Sequence, residues 1–260
     1  MRGTADKKAA GILNQPPVAA RYRAKKMIDL KSITKAFDYR PVLRSIDLSV
    51  GAGESVFLCG INGAGKSTLL RIAAGLLQPD RGAVAICGGD MASEPRKARP
   101  RLGFVSHKSM IYADLTVMEN LLFAARLHAL PEGRAAAERM LEEVGLAPYR
   151  YDRAAILSRG TMQRLSIARA LIHRPSVLLA DEPFTGLDGR ASAHLAAVLD
   201  DFGRADRALL MTTHDAAVGL QCCRRVVVLH SGQIVFDSPT AGIDPGVFAK
   251  DYVAYAEARR

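Results

Sequence analysis

The nine residues GINGAGKST, Gly60 to Thr68, limit what this 260-residue chain can fold into more than any other stretch. Two glycines separated by four residues are followed by Lys and Ser, and the run stands between VFLCG, which reads as a short buried strand, and an apolar helical segment ending near QPDRG. Glycines at these positions let backbone N–H groups turn inward around phosphates. Lys66 adds a positive charge toward the β and γ groups, and Ser67 offers a hydroxyl to Mg²⁺. The helix that opens here turns its positive end to the same anion. Gly60, Ile61, Asn62, Gly63, Ala64, Gly65, Lys66, Ser67 and Thr68 are therefore the candidate nucleotide-binding loop.

Periodicity extends this strand–turn–helix into an α/β pattern. MIDLKSITKAF and VLRSIDLSV alternate as strands, GAGE is a turn, AVAICGG is a further strand and SEPRKARPR reads as a basic loop. From about residue 110 to 174 the periodicity is helical, through LTVMENLLFAARLHAL, GRAAAERMLEEVGL and SRGTMQRLSIARALIHR. Strand character returns at VLLADE, ALLMTTHD and RVVVLHSGQIVF, with helical segments near 190 to 202 and 216 to 223. Strands alternating with helices predict an α/β core with a largely parallel sheet, into which the helical block is inserted. The division expected is a basic tail over 1–26, a nucleotide-binding domain over 27–245 and a C-terminal helix over 246–260.

Charge and composition narrow the class. The net charge of +10 invites a nucleic-acid reading, but Arg2, Lys7, Lys8, Arg21, Arg23, Lys25 and Lys26 stand against Asp6 alone, so +6 of it lies in the first 26 residues. The basicity reads as a solvated tail, and no nucleic-acid partner is expected. The tail's Asn14-Gln15-Pro16-Pro17 interrupts any apolar run, which argues against a secretory signal. No run reaches the 18 or so apolar residues of a membrane-spanning helix, so the chain is expected to be soluble. Cys59, Cys87, Cys222 and Cys223 lack metal-ligand spacing and read as small buried residues in a reducing compartment.

VLLADE supplies a second chemical element. Four apolar residues make a buried strand, Asp181 at its end is placed to hold Mg²⁺ through water, and Glu182 to polarise an attacking water. An acidic pair after an apolar run is weak alone and strong beside a phosphate loop.

LSRGTMQR at 157 to 164, together with GINGAGKST, VLLADE, TGLD at 185 to 188 and TTHD at 212 to 215, resembles the motif series of the ATP-binding cassette (ABC) ATPases. The resemblance runs from about Met27 to Phe236. It implies the ABC version of the P-loop NTPase fold, with a mainly parallel core sheet, an antiparallel β part and an inserted helical subdomain. It also implies two cassettes sandwiching two Mg·ATP, each ATP held by the phosphate loop of one and the signature of the other. On that basis Ser158 and Gly160 reach the γ-phosphate of the partner's ATP, although Arg159 and Thr161 stand where the family signature has Gly and Gln. Asp188 lies in the loop between cassettes, and His214 is the switch histidine contacting the γ-phosphate and the water at Glu182. Phe37, twenty-nine residues before Lys66, falls where the family stacks an aromatic ring on adenine, with Tyr39 the close alternative and core packing the plain one.

Nine residues before Thr116 of LTVMENL, where the family usually carries a glutamine that touches Mg²⁺ or the attacking water, this chain has His107. An imidazole offers one hydrogen bond there and a charge that changes near neutral pH. SHK at this position, LSRGT as signature and EPFTGLD as acidic motif resemble the ATPase of the haem exporter of cytochrome c maturation, which commonly has histidine then glutamine; here Lys108 follows. The implied protein is a cytoplasmic-face, peripheral ATPase of the inner membrane. It would work as a homodimer with integral membrane permease subunits, with ATP and Mg²⁺ as cofactors. The alternatives are the ATPase of a multidrug or other export system, and a soluble ABC ATPase acting on DNA or ribosomes. The latter is disfavoured by a single cassette whose Lys66 and Ser158 are only ninety-two residues apart without sustained heptads.

Overall fold

The computed structural model describes residues 25–106, 109–204 and 206–257. His107, Lys108 and the basic segment before Lys25 lie outside the described residues.

Two sheets organise the chain. β1 (Lys26–Phe37) and β2 (Arg40–Gly51) form an antiparallel hairpin. Asp38 and Tyr39 join them with φ of 48° and 64°, the left-handed pair that a two-residue type I′ turn requires. The strand starts at Lys26, inside the segment read as tail. β1 also pairs antiparallel with β4 (Arg81–Ile86), which turns through Cys87 and Gly88 onto β5 (Gly89–Asp90). This sheet runs β2-β1-β4-β5.

The second sheet contains β3 (Glu54–Cys59), β6 (Leu102–Val105), β7 (Val177–Asp181), β8 (Ala208–Thr212), β9 (Arg225–His230) and β10 (Gln233–Pro239), in the order β10-β9-β3-β8-β7-β6. All neighbours are parallel except β10 on β9. RVVVLHSGQIVF is therefore a hairpin, bent at Ser231 and Gly232 where φ is positive.

The helices are α1 (Lys66–Ala73), α2 (Pro95–Ala98), α3 (Val117–Leu127), α4 (Gly133–Glu143), α5 (Arg159–Leu171), α6 (Gly189–Arg204), α7 (Ala216–Cys222) and α8 (Pro245–Glu257). SEPRKARPR is not the basic loop its composition predicts. Asp90 Oδ1 accepts from Ala92 N, Ser93 N and Ser93 Oγ, and Pro95 then opens α2, which passes into a 3-10 turn at Arg99–Arg101.

β3, β7, β8 and β9 are buried at every position, because both faces of the parallel sheet are covered. The side-chain period of two sorts them into two cores. Phe57, Leu178, Leu209 and Val226 point into a core shared with α3 to α8. Val56, Leu58, Leu179, Leu210 and Val227 point to the opposite face, where α1 and the antiparallel sheet pack. α8 joins the first core through Phe248, which is fully buried, so the C-terminal helix is part of the packed body.

A buried charge network closes the end of the parallel sheet remote from the phosphate loop. Arg225 donates from Nη1 to Glu54 Oε1 (2.8 Å) and to Ser49 O (2.9 Å), and through Nε and Nη2 to both oxygens of Asp237 (2.6 Å each). Glu54 Oε2 in turn accepts from Gly51 N at 2.7 Å. One guanidinium thereby joins β2, β3, β9 and β10.

Candidate active site

β3 ends at Cys59, and the chain then turns over the C-terminal edge of the parallel sheet, where ligands collect in open α/β folds. The turn depends on its glycines. A Cβ on Gly60 would lie 2.7 Å from Leu229 O, and Gly65 has φ of 106° with a would-be Cβ 2.8 Å from Leu43 Cδ2. Gly65 is the N-cap of α1, so the first-turn amides of that helix open into a cavity of about 300 Å³. Asn62, Gly63, Lys66, Ser67, Glu182 and His214 stand in its wall. Lys66 folds over the loop, its ammonium donating to Gly60 O (2.6 Å) and Ile61 O (3.1 Å). Burial pulls its pKa down, against the opposing charges of Glu182 and Asp181.

The acidic pair meets this loop from β7. Asp181 Oδ1 accepts from Ser67 Oγ (3.1 Å) and from Thr212 Oγ1 (2.8 Å). Thr212, fully buried at the end of β8, also accepts from the Glu182 amide at 3.0 Å. It therefore sets the direction of both acidic residues. TTHD marked this strand end, but a threonine closing an apolar strand carries no separate signal of its role.

Glu182 is in the left-handed region at φ 56°, a conformation that costs a non-glycine residue about 1–2 kcal/mol and gathers at functional sites. Its carboxylate Oε2 accepts from His214 N (3.0 Å), and Oε1 lies 3.4 Å from His214 Nε2. Burial raises the Glu182 pKa above the ordinary glutamate value, and the neighbouring His214 and Lys66 moderate the rise. His214 itself is largely exposed on the cavity side. Asp215 holds its loop by capping α7, accepting from Ala217 N (2.9 Å) and Val218 N (3.2 Å).

Ser67 Oγ and Asp181 Oδ1 are adjacent hard oxygen donors at the phosphate end of the cavity, a set that fits Mg²⁺. The structure thus brings together the phosphate loop, Asp181, Glu182 and His214. Phe37 does not line the cavity. It stands 44% exposed at the end of β1, outside the core, with Lys35 Nζ 5.6 Å from its ring centre, and Tyr39 is fully exposed beside it. Its ring is free to stack, and core packing is not its role.

Ser158, Gly160 and Asp188 lie away from this cavity. Ser158 caps α5, its Oγ accepting from Thr161 N at 3.2 Å and contacting Thr161 Oγ1 at 2.9 Å, which gives Thr161 a place in the cap. A Cβ on Gly160 would be 3.1 Å from Gly186 O, and one on Gly186 would be 3.3 Å from Arg159 Cβ. Asp188 Oδ1 accepts from Ala191 N (2.8 Å) at the start of α6. Gln163 Nε2 donates to Pro183 O at 3.0 Å, hooking α5 to the residue after Glu182. The composition of the helical block did not single out Gln163.

Asn120, buried in α3, organises the segment that follows His107. It accepts from Tyr112 N (2.9 Å) and donates to Tyr112 O (3.0 Å) and Thr116 O (3.0 Å). Thr116 and Glu119 add a reciprocal capping box.

Comparison with known proteins places these elements in a family. Residues 43–185 match the ABC transporter family. The chain is 34% identical over 251 residues to the phosphonates import ATP-binding protein PhnC 2 of Cupriavidus necator, covering 88% of each. It is 40% identical over 208 residues to the lipoprotein-releasing system ATP-binding protein LolD of Anaeromyxobacter dehalogenans, covering 76% of this chain and 87% of that one. Its fold matches the solved dimeric post-hydrolysis state of an ATP-binding cassette bound to ADP and Pi, with a TM-score of 0.77 and 27% identity over 84% of this chain and all of that one. The phosphate loop, the acidic strand end and these likenesses agree, and the chain belongs to the ABC transporter family as an ATP-binding ATPase subunit.

Proposed function

We propose that two copies of this chain close around two Mg·ATP and drive a separate membrane permease. The observation that carries the reading is the division of the motifs. Lys66, Ser67, Glu182 and His214 line one cavity, with Asp181 bonded to Ser67, whereas Ser158 caps α5, Gly160 lies in its first turn and Asp188 accepts from the start of α6, all outside the cavity. A signature that cannot serve its own phosphate loop is suited to serve a partner's.

Within one cavity the residues divide the work. The backbone amides of the loop and α1 bind phosphate oxygens, and Lys66 exchanges its carbonyl partners for them. Ser67 would hold Mg²⁺ directly and Asp181 through water, and the ion would neutralise charge on the transferring phosphoryl group. Glu182 accepts the proton of the attacking water, with its raised pKa placing it nearer neutrality than an ordinary carboxylate. His214 fixes Glu182 and contacts the γ-phosphate, and Phe37 stacks on the adenine.

The membrane partner is best received by a groove between the core and the helical insert. Leu76, Met110 and Leu127 are exposed at its edge, while His128 and His173 stack inside it with centroids 3.6 Å apart. Burial holds both imidazoles below their ordinary pKa, His173 at about 4, so they are neutral at neutral pH and the groove's positive charge comes from Arg99 and Arg169. Among the described residues no helix is long and apolar enough to cross a membrane, which suits a peripheral subunit at the cytoplasmic face.

For the cargo, the combination of His107, LSRGT and EPFTGLD supports export, of haem, in cytochrome c maturation. The likeness to a phosphonates import protein favours a second reading, uptake. ATPase activity of the subunit co-purified with its genomically adjacent membrane proteins separates them. Stimulation by haem supports the first, and stimulation by phosphonates with a binding protein overturns it in favour of the second.

A further inference from the structure

Helix α4 of the insert ends on an unfavourable sequence. Glu142 and Glu143 stand in its last turn, where no basic residue does, so two carboxylates sit at the negative end of the helix dipole. Arg150 approaches Glu142 alone, at 3.8 Å. The chain leaves the helix through Gly145 at φ 66°, with Gly145 N bonded to Glu142 O (3.1 Å) and Leu146 N to Leu141 O (2.7 Å). The carbonyls beyond these are received by two other helices. Arg164 of α5 donates from Nη1 to Gly145 O (3.0 Å) and Val144 O (3.4 Å), and a Cβ on Gly145 would stand 3.3 Å from that nitrogen. His194 of α6 lies with Nε2 2.7 Å from Glu143 O. A carbonyl only accepts, so Nε2 carries the proton in this bond.

Beside the bond a cavity of about 410 Å³ opens between α4 and α6, with Met140, Glu143 and Val144 on one side and Val198, Asp201 and Phe202 on the other. His194 thus bridges the two helices at the edge of a gap. The helices that complete the end of α4 are also those that carry the surfaces proposed to meet a partner chain: α5 starts at the Ser158 cap, and α6 starts at Asp188, which accepts from Ala191 N. We propose that His194 is a positioning residue for the helical insert. Its bond to Glu143 O pegs the end of α4 to the helix that Asp188 opens, so that the signature and the Asp188 loop keep one relative placement when two chains close on ATP. This rests on the reading that two copies sandwich the nucleotides. Without the peg the insert samples more placements in the separate chain, and closure must order it at a cost in dimer affinity.

His194 is exposed, so its replacement removes the bond without opening the core. In the full-length protein carrying Glu182→Gln, at saturating Mg·ATP, His194→Ala is expected to raise the dimer dissociation constant about 25-fold, about fivefold for the hydrogen bond lost in each copy. Sedimentation velocity reads this constant. The affinity of the separate chain for a fluorescent ATP analogue and its melting temperature should stay at the Glu182→Gln values, because the cavity at Lys66 is untouched. His194→Gln, whose side-chain amide donates at similar reach, should return the dimer constant to near that of Glu182→Gln. Hydrogen exchange of the segment around Gly145 should quicken in His194→Ala and recover in His194→Gln. If His194→Ala dimerises as tightly as Glu182→Gln alone, the role of His194 is refuted while the two-copy reading stands. If Glu182→Gln alone forms no dimer with ATP, the two-copy reading fails and the role of His194 falls with it. Equal weakening by alanine and glutamine, or loss of analogue affinity or melting temperature in His194→Ala, assigns the effect to folding rather than to the donor and overturns the proposal.

Discussion

Replacing Arg225 by methionine tests how far the stability of the protein depends on charge buried at the end of the parallel sheet opposite the phosphate loop. The side chains of Arg225 and Glu54 are each 7% exposed and that of Asp237 14%, so the substitution strands two carboxylates with little access to water. Glu54 keeps the Gly51 amide, but Asp237 loses both of its contacts to the guanidinium. Burial works against the Arg225 charge, yet the hydrogen bonds to Asp237 and Glu54 raise its pKa well above the ordinary arginine value. Removing one member of a buried ion cluster costs about 3–5 kcal/mol, and the partial exposure of Asp237 puts the expectation at about 3–4 kcal/mol. With a urea m-value of about 3 kcal/mol/M, the unfolding midpoint should fall by about 1 M at pH 7. The deficit should narrow as pH drops, because an uncompensated buried carboxylate takes up a proton. The triple variant Glu54→Gln, Arg225→Met, Asp237→Asn leaves no charge and should recover part of the loss. Equilibrium urea denaturation at pH 7 and pH 5 reads all of this. A loss below about 1 kcal/mol in the single variant, or a triple variant no more stable than the single, would refute the reasoning.

Glu182→Gln should lower kcat by about 10²–10⁴-fold while retaining ATP affinity and accumulating ATP-bound dimer, which gel filtration and single-turnover assays would detect. Because burial raises the Glu182 pKa, wild-type kcat should fall on the acid side at a higher pH than an ordinary carboxylate would dictate. A raised folded pKa contributes stability below the unfolded value that is lost as pH rises through the folded one. Glu182→Gln is therefore expected to melt no lower than wild type at pH 7. Thr212→Val removes a hydroxyl that holds Asp181 and the Glu182 amide, and should weaken Mg²⁺ dependence and kcat together by tenfold or more; unchanged Mg²⁺ titrations would exclude that role. His107→Gln should leave basal ATPase intact, and loss of permease-coupled transport alone would assign the imidazole to coupling.

The residues that sequence reasoning found are those whose chemistry is tied to local spacing. The glycines of the phosphate loop, the apolar run before Asp181 and the strand before His214 each announce a strand end within a few residues, and these strand ends meet at one site. What stayed hidden depends on contacts remote in sequence. Thr212 acts across thirty-one residues on Asp181, and Gln163 across twenty on Pro183. The order β10-β9-β3-β8-β7-β6 is set by crossovers that periodicity does not encode. Asp38 and Tyr39 form a tight turn without glycine, so no turn signal marked the hairpin. SEPRKARPR looked like a loop because its charges outweigh the Asp90 turn and Pro95 that start α2.

The hook from Gln163 to Pro183 has a consequence for how two such chains would keep time. The residue after Glu182 is bonded to α5, and the start of α5 abuts Gly186 in the same acidic segment. The surface proposed to meet a partner's nucleotide is thus mounted on the strip of backbone that carries the proposed base. Movement of that strip at hydrolysis would displace both, so each copy's clock would be wound by the other through a single amide hydrogen bond and one close backbone contact.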